Sequence, residues 1–221
     1  MLELVNSSRE ALLAYLLRQL ENFFPDGKDP SAAIDRHLDE ALSRLEHCIN
    51  GVVMWRMGQF DYLHSSQYAI FLYYLSNTIW RNDGDRAAPT KLFFLNKALN
   101  GLDCFYEIDM PKVFFIGHSV GIVLAKATYG EYLVLYQNST VGKNHGAAPV
   151  LGDGVVMYPN TAIIGACNVR DGSVLAQGVS VINRDTPGDC IVFQGNEGDL
   201  TFRKSGRDIL ADIFRLRPAG T

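Results

Sequence analysis

The sequence predicts an α+β protein, with a helical N-terminal half followed by a parallel β-helix. Three observations carry that reading. Apolar residues recur at spacings of three and four through roughly the first hundred positions. After Asp109 glycines and β-branched residues become frequent. From Leu151 onward a period of six appears in the large apolar side chains.

The first helix is expected over residues 10–24. It carries Leu12, Leu13, Tyr15, Leu16, Leu17 and Leu20 and ends at the turn formers Pro25-Asp26-Gly27. A second is announced by Asp29-Pro30, an N-cap followed by a first-turn proline. It places Ile34, Leu38, Leu42, Leu45 and Ile49 on one face. Its histidines, His37 and His47, stand among Glu, Asp and Arg and read as surface residues. A third helix, residues 65–80, is apolar all round through Tyr68-Ala69-Ile70-Phe71-Leu72-Tyr73-Tyr74-Leu75. Such a helix is buried between others or lies at a subunit contact. Asn82-Asp83-Gly84-Asp85 breaks it, and a fourth is expected over residues 89–100.

In the second half, every sixth residue gives Leu151, Met157, Ile163, Val169, Leu175 and Val181. Four positions further within each unit come Val155, Thr161, Cys167, Ser173 and Val179, all small or β-branched. An earlier, looser block gives Val123, Tyr129, Leu135 and Val141, and the ten-residue step from Val141 to Leu151 implies about four inserted residues. A six-residue unit makes one short strand and one corner. Three units close a coil, with the large side chains stacked inside. Cys167 falls in an interior small-residue slot, and Cys48, Cys104 and Cys190 have no base or cluster nearby, so all four read as packing.

Composition narrows function. Lys plus Arg total 20 against 24 Asp plus Glu, a net charge of −4 without the basic excess of a nucleic-acid binder. No apolar run approaches the ~20 residues that span a bilayer. The start Met1-Leu2-Glu3-Leu4 lacks a signal-peptide layout, and the cysteines form no CxxC pair. A cytoplasmic protein that binds neither nucleic acid nor membrane is expected. No histidine pair has metal-ligand spacing, so no metal is expected, and no GxGxxG or P-loop pattern occurs.

Helices followed by hexapeptide repeats resemble the serine O-acetyltransferases, members of the left-handed β-helix acyltransferases. His118-Ser119-Val120-Gly121-Ile122-Val123 is similar to the family's His-x-x-Gly-Ile-Val segment, whose histidine is the catalytic base. Ile108-Asp109-Met110 is similar to the segment whose aspartate orients that histidine, at a separation six residues shorter. Gln137 to Gly142, Pro149-Val150-Leu151-Gly152-Asp153 and the stretch from Asp185 to Gly195 match later family segments. The chain departs from the family in two places. Ala147-Ala148 stand where an Arg-His pair contacts the substrate, with His145 three residues earlier, and Gly117 replaces an aspartate before the histidine.

The resemblance implies domains over 1–107 (helical) and 108–200 (left-handed β-helix), and in the tail, 201–221, Arg203, Lys204 and Arg207 alternate with Asp208 and Asp212, which reads as a solvated, helical segment. The resemblance also implies acetyl-CoA as co-substrate, lying between neighbouring β-helices of a homotrimer or a dimer of trimers. His118, Asp109 and His145 are the expected catalytic residues, His145 standing open between the site and solvent. Asp61 and His64 are expected at the acceptor, and Gly142 and Thr161 at the cofactor, Gly142 also readable as a corner glycine with positive φ. A hydroxyl is a poor nucleophile at neutral pH, and a histidine base answers that need. L-Serine is the first expected acceptor. A sugar or nucleotide-sugar, and a non-catalytic trimeric scaffold, stand as alternatives.

Overall fold

A computed structural model describes residues 2–216. Four helices form the N-terminal half: α1 Arg9–Phe23, α2 Ser31–Gly51, α3 Ser65–Asp83 and α4 Ala87–Asn100. Ser8 caps α1 by accepting from the Ala11 N–H. Asp29 acts one residue outside the expected cap position. Pro30 is the cap residue of α2, while the Asp29 carboxylate takes the Ser31 N–H and hydroxyl. On α2 the expected face holds, with Ile34, Leu38, Leu45 and Ile49 buried and Leu42 half-buried. His47 is exposed as expected, but His37 is a correction. It is buried, with its Nε2 2.9 Å from Asp83 Oδ2, because the α2–α3 contact closes over it.

Helix α3 is buried between α2, α4 and the first coil of the solenoid. Its polar residues serve the chain they cover. The Tyr73 hydroxyl donates to the Ile108 carbonyl at 2.6 Å and accepts from the Met110 N–H at 3.0 Å. Asn77 donates to the Tyr106 carbonyl at 2.7 Å. Buried polar groups so satisfied carry no desolvation penalty, and they fix how the first coil leaves the helices.

The second half is a left-handed parallel β-helix with three faces. Its first face stacks Leu102–Cys104, Ile122–Leu124, Thr140–Gly142, Ala162–Ile164 and Ser180–Ile182. The second stacks Thr128–Tyr129, Val150–Leu151 and Asn168–Val169. The third stacks Phe114–Ile116, Leu133–Leu135, Val156–Met157, Val174–Leu175 and Cys190–Gln194. The expected interior set of Leu151, Met157, Ile163, Val169, Leu175 and Val181 is at most 1% exposed. Burial of each contributes roughly 1.5–3 kcal/mol.

One residue of the earlier block is misplaced. Val123 is 44% exposed, and Leu124 points inward in its place, paired with Val141. The step from Leu124 to Tyr129 is five residues, so that hexad is one short. The insertion is where the spacing puts it, since successive first-face strands start at 122, 140, 162 and 180 and only the 140-to-162 coil is four residues longer.

The tail is exposed over most of its length and holds a short helix, as expected, but it is anchored at its end. Leu200–Lys204 folds back antiparallel to Cys190–Gln194, and a short helix, α5 Ile209–Ile213, follows. The third face turns Val134, Val156 and Val174 outward, yet all three are buried. Leu210 packs at Gly154, and Phe214 lies 5.3 Å from the Tyr132 ring. The Arg215 guanidinium then donates to the carbonyls of Asn50, Val52, Val53 and Trp55, at the end of α2. An uncovered apolar sheet face explains why Ile213 and Phe214 are buried while most of the segment stays exposed. Residues 217–221 of the expected tail lie outside the described residues.

Candidate functional site

His118 follows the strand Phe114–Ile116, in the corner that leads to Ile122–Leu124. Its flanking backbone is tied to the helices. Ser66, in the first turn of α3, donates to the Gly117 carbonyl at 3.2 Å. Buried Ser119 donates to the Asn100 carbonyl at 2.7 Å, and the Gly121 N–H to the Gly101 carbonyl at 3.1 Å. The imidazole itself is exposed, and no hydrogen bond or ion pair to it occurs among the described residues. A fixed backbone that carries an unengaged ring suits a group that works on a ligand.

The structure does not bring Asp109 to that ring. Nine residues separate them, about half of the 20-residue first coil from Leu102 to Ile122, so Asp109 precedes the strand Phe114–Ile116 and His118 follows it. Asp109 instead lines a separate cavity with Arg44, His47, Arg81, Lys112 and Glu131. The shortening by one hexad is the physical reason, because six residues amount to one face of the prism.

Asp61 and His64 lie at the start of α3, the helix end that holds Gly117 through Ser66. Both are partly committed to local structure. Asp61 Oδ1 accepts from the Leu63 N–H at 2.9 Å, and His64 Nδ1 accepts from the Gln67 N–H at 3.5 Å as the α3 cap. The His64 ring also meets Trp55 edge-on at 6.0 Å.

His145 stands at the tip of the insertion. Asn144 and Ala147 exchange two backbone bonds of 3.0 Å around His145-Gly146, whose φ values are 48° and 82°. Two central residues with positive φ make a tight hairpin turn. The His145 side chain is exposed, at the corner after the first face, whereas His118 is at the corner before it.

Gly142 is not a corner glycine. It lies within Thr140–Gly142, paired with Ile164, and its φ is not positive. Alternation along a parallel strand turns its N–H to the side of that of Thr140, which bonds the Thr161 carbonyl. Gly142 therefore offers a flat wall rather than a free donor. Thr161, expected at the cofactor, faces the interior. It is 1% exposed, and its hydroxyl donates inward to the Tyr158 carbonyl at 2.8 Å.

Sequence reasoning missed an aromatic ladder. One residue beyond the paired Ile116, Leu135 and Met157 come Gly117, Tyr136 and Tyr158. A Cβ on Gly117 would lie 2.5 Å from two carbons of the Tyr136 ring, so that ring occupies the space beside the residue preceding His118. Tyr136 stacks on Tyr158 with centroids 5.5 Å apart and planes at 16°, and meets Phe115 edge-on at 6.2 Å. Burial, and then the neighbouring Tyr158, push the Tyr136 phenol above its ordinary value, which keeps it a donor. The signal was available in the hexads, since each tyrosine follows an interior residue by one. Gln137, next along, has its Oε1 buried without a partner.

Among the described residues no three His, Cys, Asp or Glu side chains converge to hold a metal, and no helix is long and apolar enough to cross a membrane.

No family model matches the sequence, and no curated protein matches it. Solved structures do. A serine acetyltransferase from Vibrio cholerae superposes with a TM-score of 0.67 at 20% identity, over 90% of this chain and 81% of that one. One from Neisseria gonorrhoeae, in complex with serine, gives 0.62 at 18% identity over 86% and 83%. Isoform 3 from Entamoeba histolytica, in complex with cysteine, gives 0.63 at 16% over 88% and 74%. The chain thus has the fold of the serine acetyltransferases, a helical domain followed by a left-handed parallel β-helix.

Proposed function

We propose that the protein is an acetyl-CoA-dependent O-acetyltransferase acting on a small hydroxyl acceptor, with His118 as general base. The observation that carries the reading is His118 itself, an exposed imidazole without an internal partner on a backbone fixed from two helix ends. Its place in a fold shared with serine acetyltransferases supports it.

In this reading a neutral His118 nitrogen takes the proton of the acceptor hydroxyl as its oxygen attacks the thioester carbonyl carbon. The tetrahedral intermediate then collapses, the C–S bond breaks, and the proton on His118 passes to the thiolate of CoA. A positioned base of this kind contributes roughly 10²–10⁴ in rate. Within one chain Asp109 does not orient the ring, and Gln137 on the next coil is better placed to do so. Asp61 and His64 border the corner from α3. Acetyl-CoA would lie along the first face against Gly142, between neighbouring copies of a homotrimer, with the His145 hairpin reaching over from the far corner.

The likeness makes L-serine the first acceptor to test. The experiment is release of CoA thiol from acetyl-CoA by the purified protein, with L-serine and a panel of sugars. Acceptor-dependent release is expected. No release with any acceptor, together with no binding of acetyl-CoA, would favour the non-catalytic scaffold.

A further inference from the structure

The cavity that Asp109 lines has a volume of about 670 Å³ and is walled by α2, α3 and the first two coils of the solenoid, with His118 outside it. In its wall Arg44 of α2 is half-buried and held by neutral groups. Its Nη1 donates to the Thr78 hydroxyl at 2.7 Å and to the Tyr74 carbonyl at 3.5 Å, and its Nη2 to Asn77 Oδ1 at 2.8 Å. The guanidinium also lies 4.6 Å from the centre of the Tyr74 ring. Asn77 and Thr78 are fully buried, and Asn77 is fixed in turn by its bond to the Tyr106 carbonyl. No carboxylate among the described residues pairs with Arg44. We propose that this cavity binds a small monocarboxylate with an apolar body, held at Arg44, as a site separate from the catalytic corner. The inference goes beyond the acetyltransferase reading and does not depend on it.

Three features point to that ligand. A cation withdrawn from water costs free energy unless an anion meets it. The neutral partners of Arg44 set its direction without cancelling its charge. They take three of the five guanidinium N–H groups, which leaves Nε and one Nη2 donor. A carboxylate is the acceptor that takes two such donors side by side.

The charges of the lining give the second feature. Apart from His47, it carries the cations Arg44, Arg81 and Lys112 and the carboxylates Asp109 and Glu131, an excess of one positive charge. One carboxylate neutralises that excess, whereas a phosphate group, with about −1.5 to −2 at neutral pH, exceeds it. Glu131 is already committed to the chain, accepting from the Lys112 and Val113 N–H groups at 3.2 Å each. The side chains of Arg81, Lys112 and Asp109 are exposed and make no hydrogen bond or ion pair among the described residues. The third feature is the rest of the wall, where buried Met110, Pro111 and Tyr129 offer an apolar surface. Apolar walls with a few polar anchors are the usual form of a small-molecule site.

Calorimetric titration of the full chain with benzoate, at low and at high NaCl and with inorganic phosphate as competitor, tests the site. Saturable binding of one benzoate per chain is expected, with a rise in melting temperature. Arg44→Gln should weaken it roughly tenfold or more, as the loss of a charge-assisted pair does. Arg81→Ala and Lys112→Ala, at the exposed rim, should weaken it a few-fold, and they serve if Arg44→Gln fails to fold. Asp109→Asn should tighten it, because a like charge is removed. No saturable binding, binding left unchanged by the Arg44, Arg81 and Lys112 variants, or stronger binding of phosphate than of benzoate overturns the inference. Weaker binding to Asp109→Asn overturns it too, since that carboxylate would then be meeting a positive group on the ligand. Thiol release from acetyl-CoA does not enter these readouts, so either reading can fail alone.

Discussion

Replacing Gly117 by alanine isolates the contact between the candidate base and the aromatic ladder. The backbone at Gly117 does not have positive φ, so the substitution is conformationally permitted. On chain entropy alone it would add about 0.4–1 kcal/mol of stability. The new Cβ, however, would lie 2.5 Å from both Cδ1 and Cε1 of Tyr136 and 3.3 Å from Cζ. That ring is held by Tyr158 on one side and Phe115 on the other, and has little room to give. Overpacking of this kind costs about 1–3 kcal/mol. The net expectation is a loss of about 1–2 kcal/mol, or a melting temperature lower by roughly 2–8 °C for a chain of this size. Urea unfolding of Gly117→Ala, Tyr136→Ser and the double variant closes a cycle. The two changes should couple by about 1 kcal/mol or more, with the double variant recovering part of the loss. A neutral or stabilising Gly117→Ala, or strict additivity, would refute the placement of Tyr136 over the residue before His118.

Arg215→Ala should cost about 2–4 kcal/mol, because it strips charge-assisted donors from four carbonyls at the end of α2. Arg215→Lys, which keeps the charge without the fork, should recover less than half, and a melting curve unchanged by Arg215→Ala would show that these bonds do not hold the segment in place. All four cysteines are buried, and burial pushes the Cys48 thiol up to about 11 and the Cys104 thiol higher still. A thiol reagent at pH 8 should therefore label none in the native protein and four after denaturation, and rapid native labelling would contradict the packing. His37 first, and then Arg36, hold the Asp83 carboxyl below its ordinary value. A lowered carboxyl stabilises the fold above the unfolded pKa of about 3.9, and that contribution is lost as pH falls through the folded value. Asp83→Asn should thus shrink the drop in urea midpoint between pH 6 and pH 2.5, and an equal drop in both proteins would show the pair to be idle.

Most of the fold was legible because a solenoid writes its cross-section into the sequence. Ile163 and Val181 occupy equivalent places eighteen residues apart, so one register predicts every interior residue from Leu151 to Val181. Val123 escaped because a single missing residue before Tyr129 shifts the phase without changing composition. Position 37 looked like surface since its neighbours are charged, and only the packing of α3 against α2 buries it. The end of the tail misled for a similar reason. Its alternation of Arg203, Lys204 and Asp208 reads as solvated, while the anchors Ile213, Phe214 and Arg215 find their partners about 160 residues away in sequence. At the site, the motif singles out His118, and the structure places it exposed at a corner of the solenoid. The Asp109 pairing was not legible, because a motif match does not count faces of the prism, and nine residues end on the wrong corner.

The most direct test of the proposed chemistry compares wild-type protein with His118→Ala in acceptor-dependent thiol release from acetyl-CoA, with unfolding measured on both. The exposed His118 ring has no hydrogen bond or ion pair among the described residues, so the variant should melt as the wild type does while turnover falls roughly 10²–10⁴-fold. Turnover that survives the substitution, or falls only because the variant unfolds, would contradict the assignment of His118 as the base.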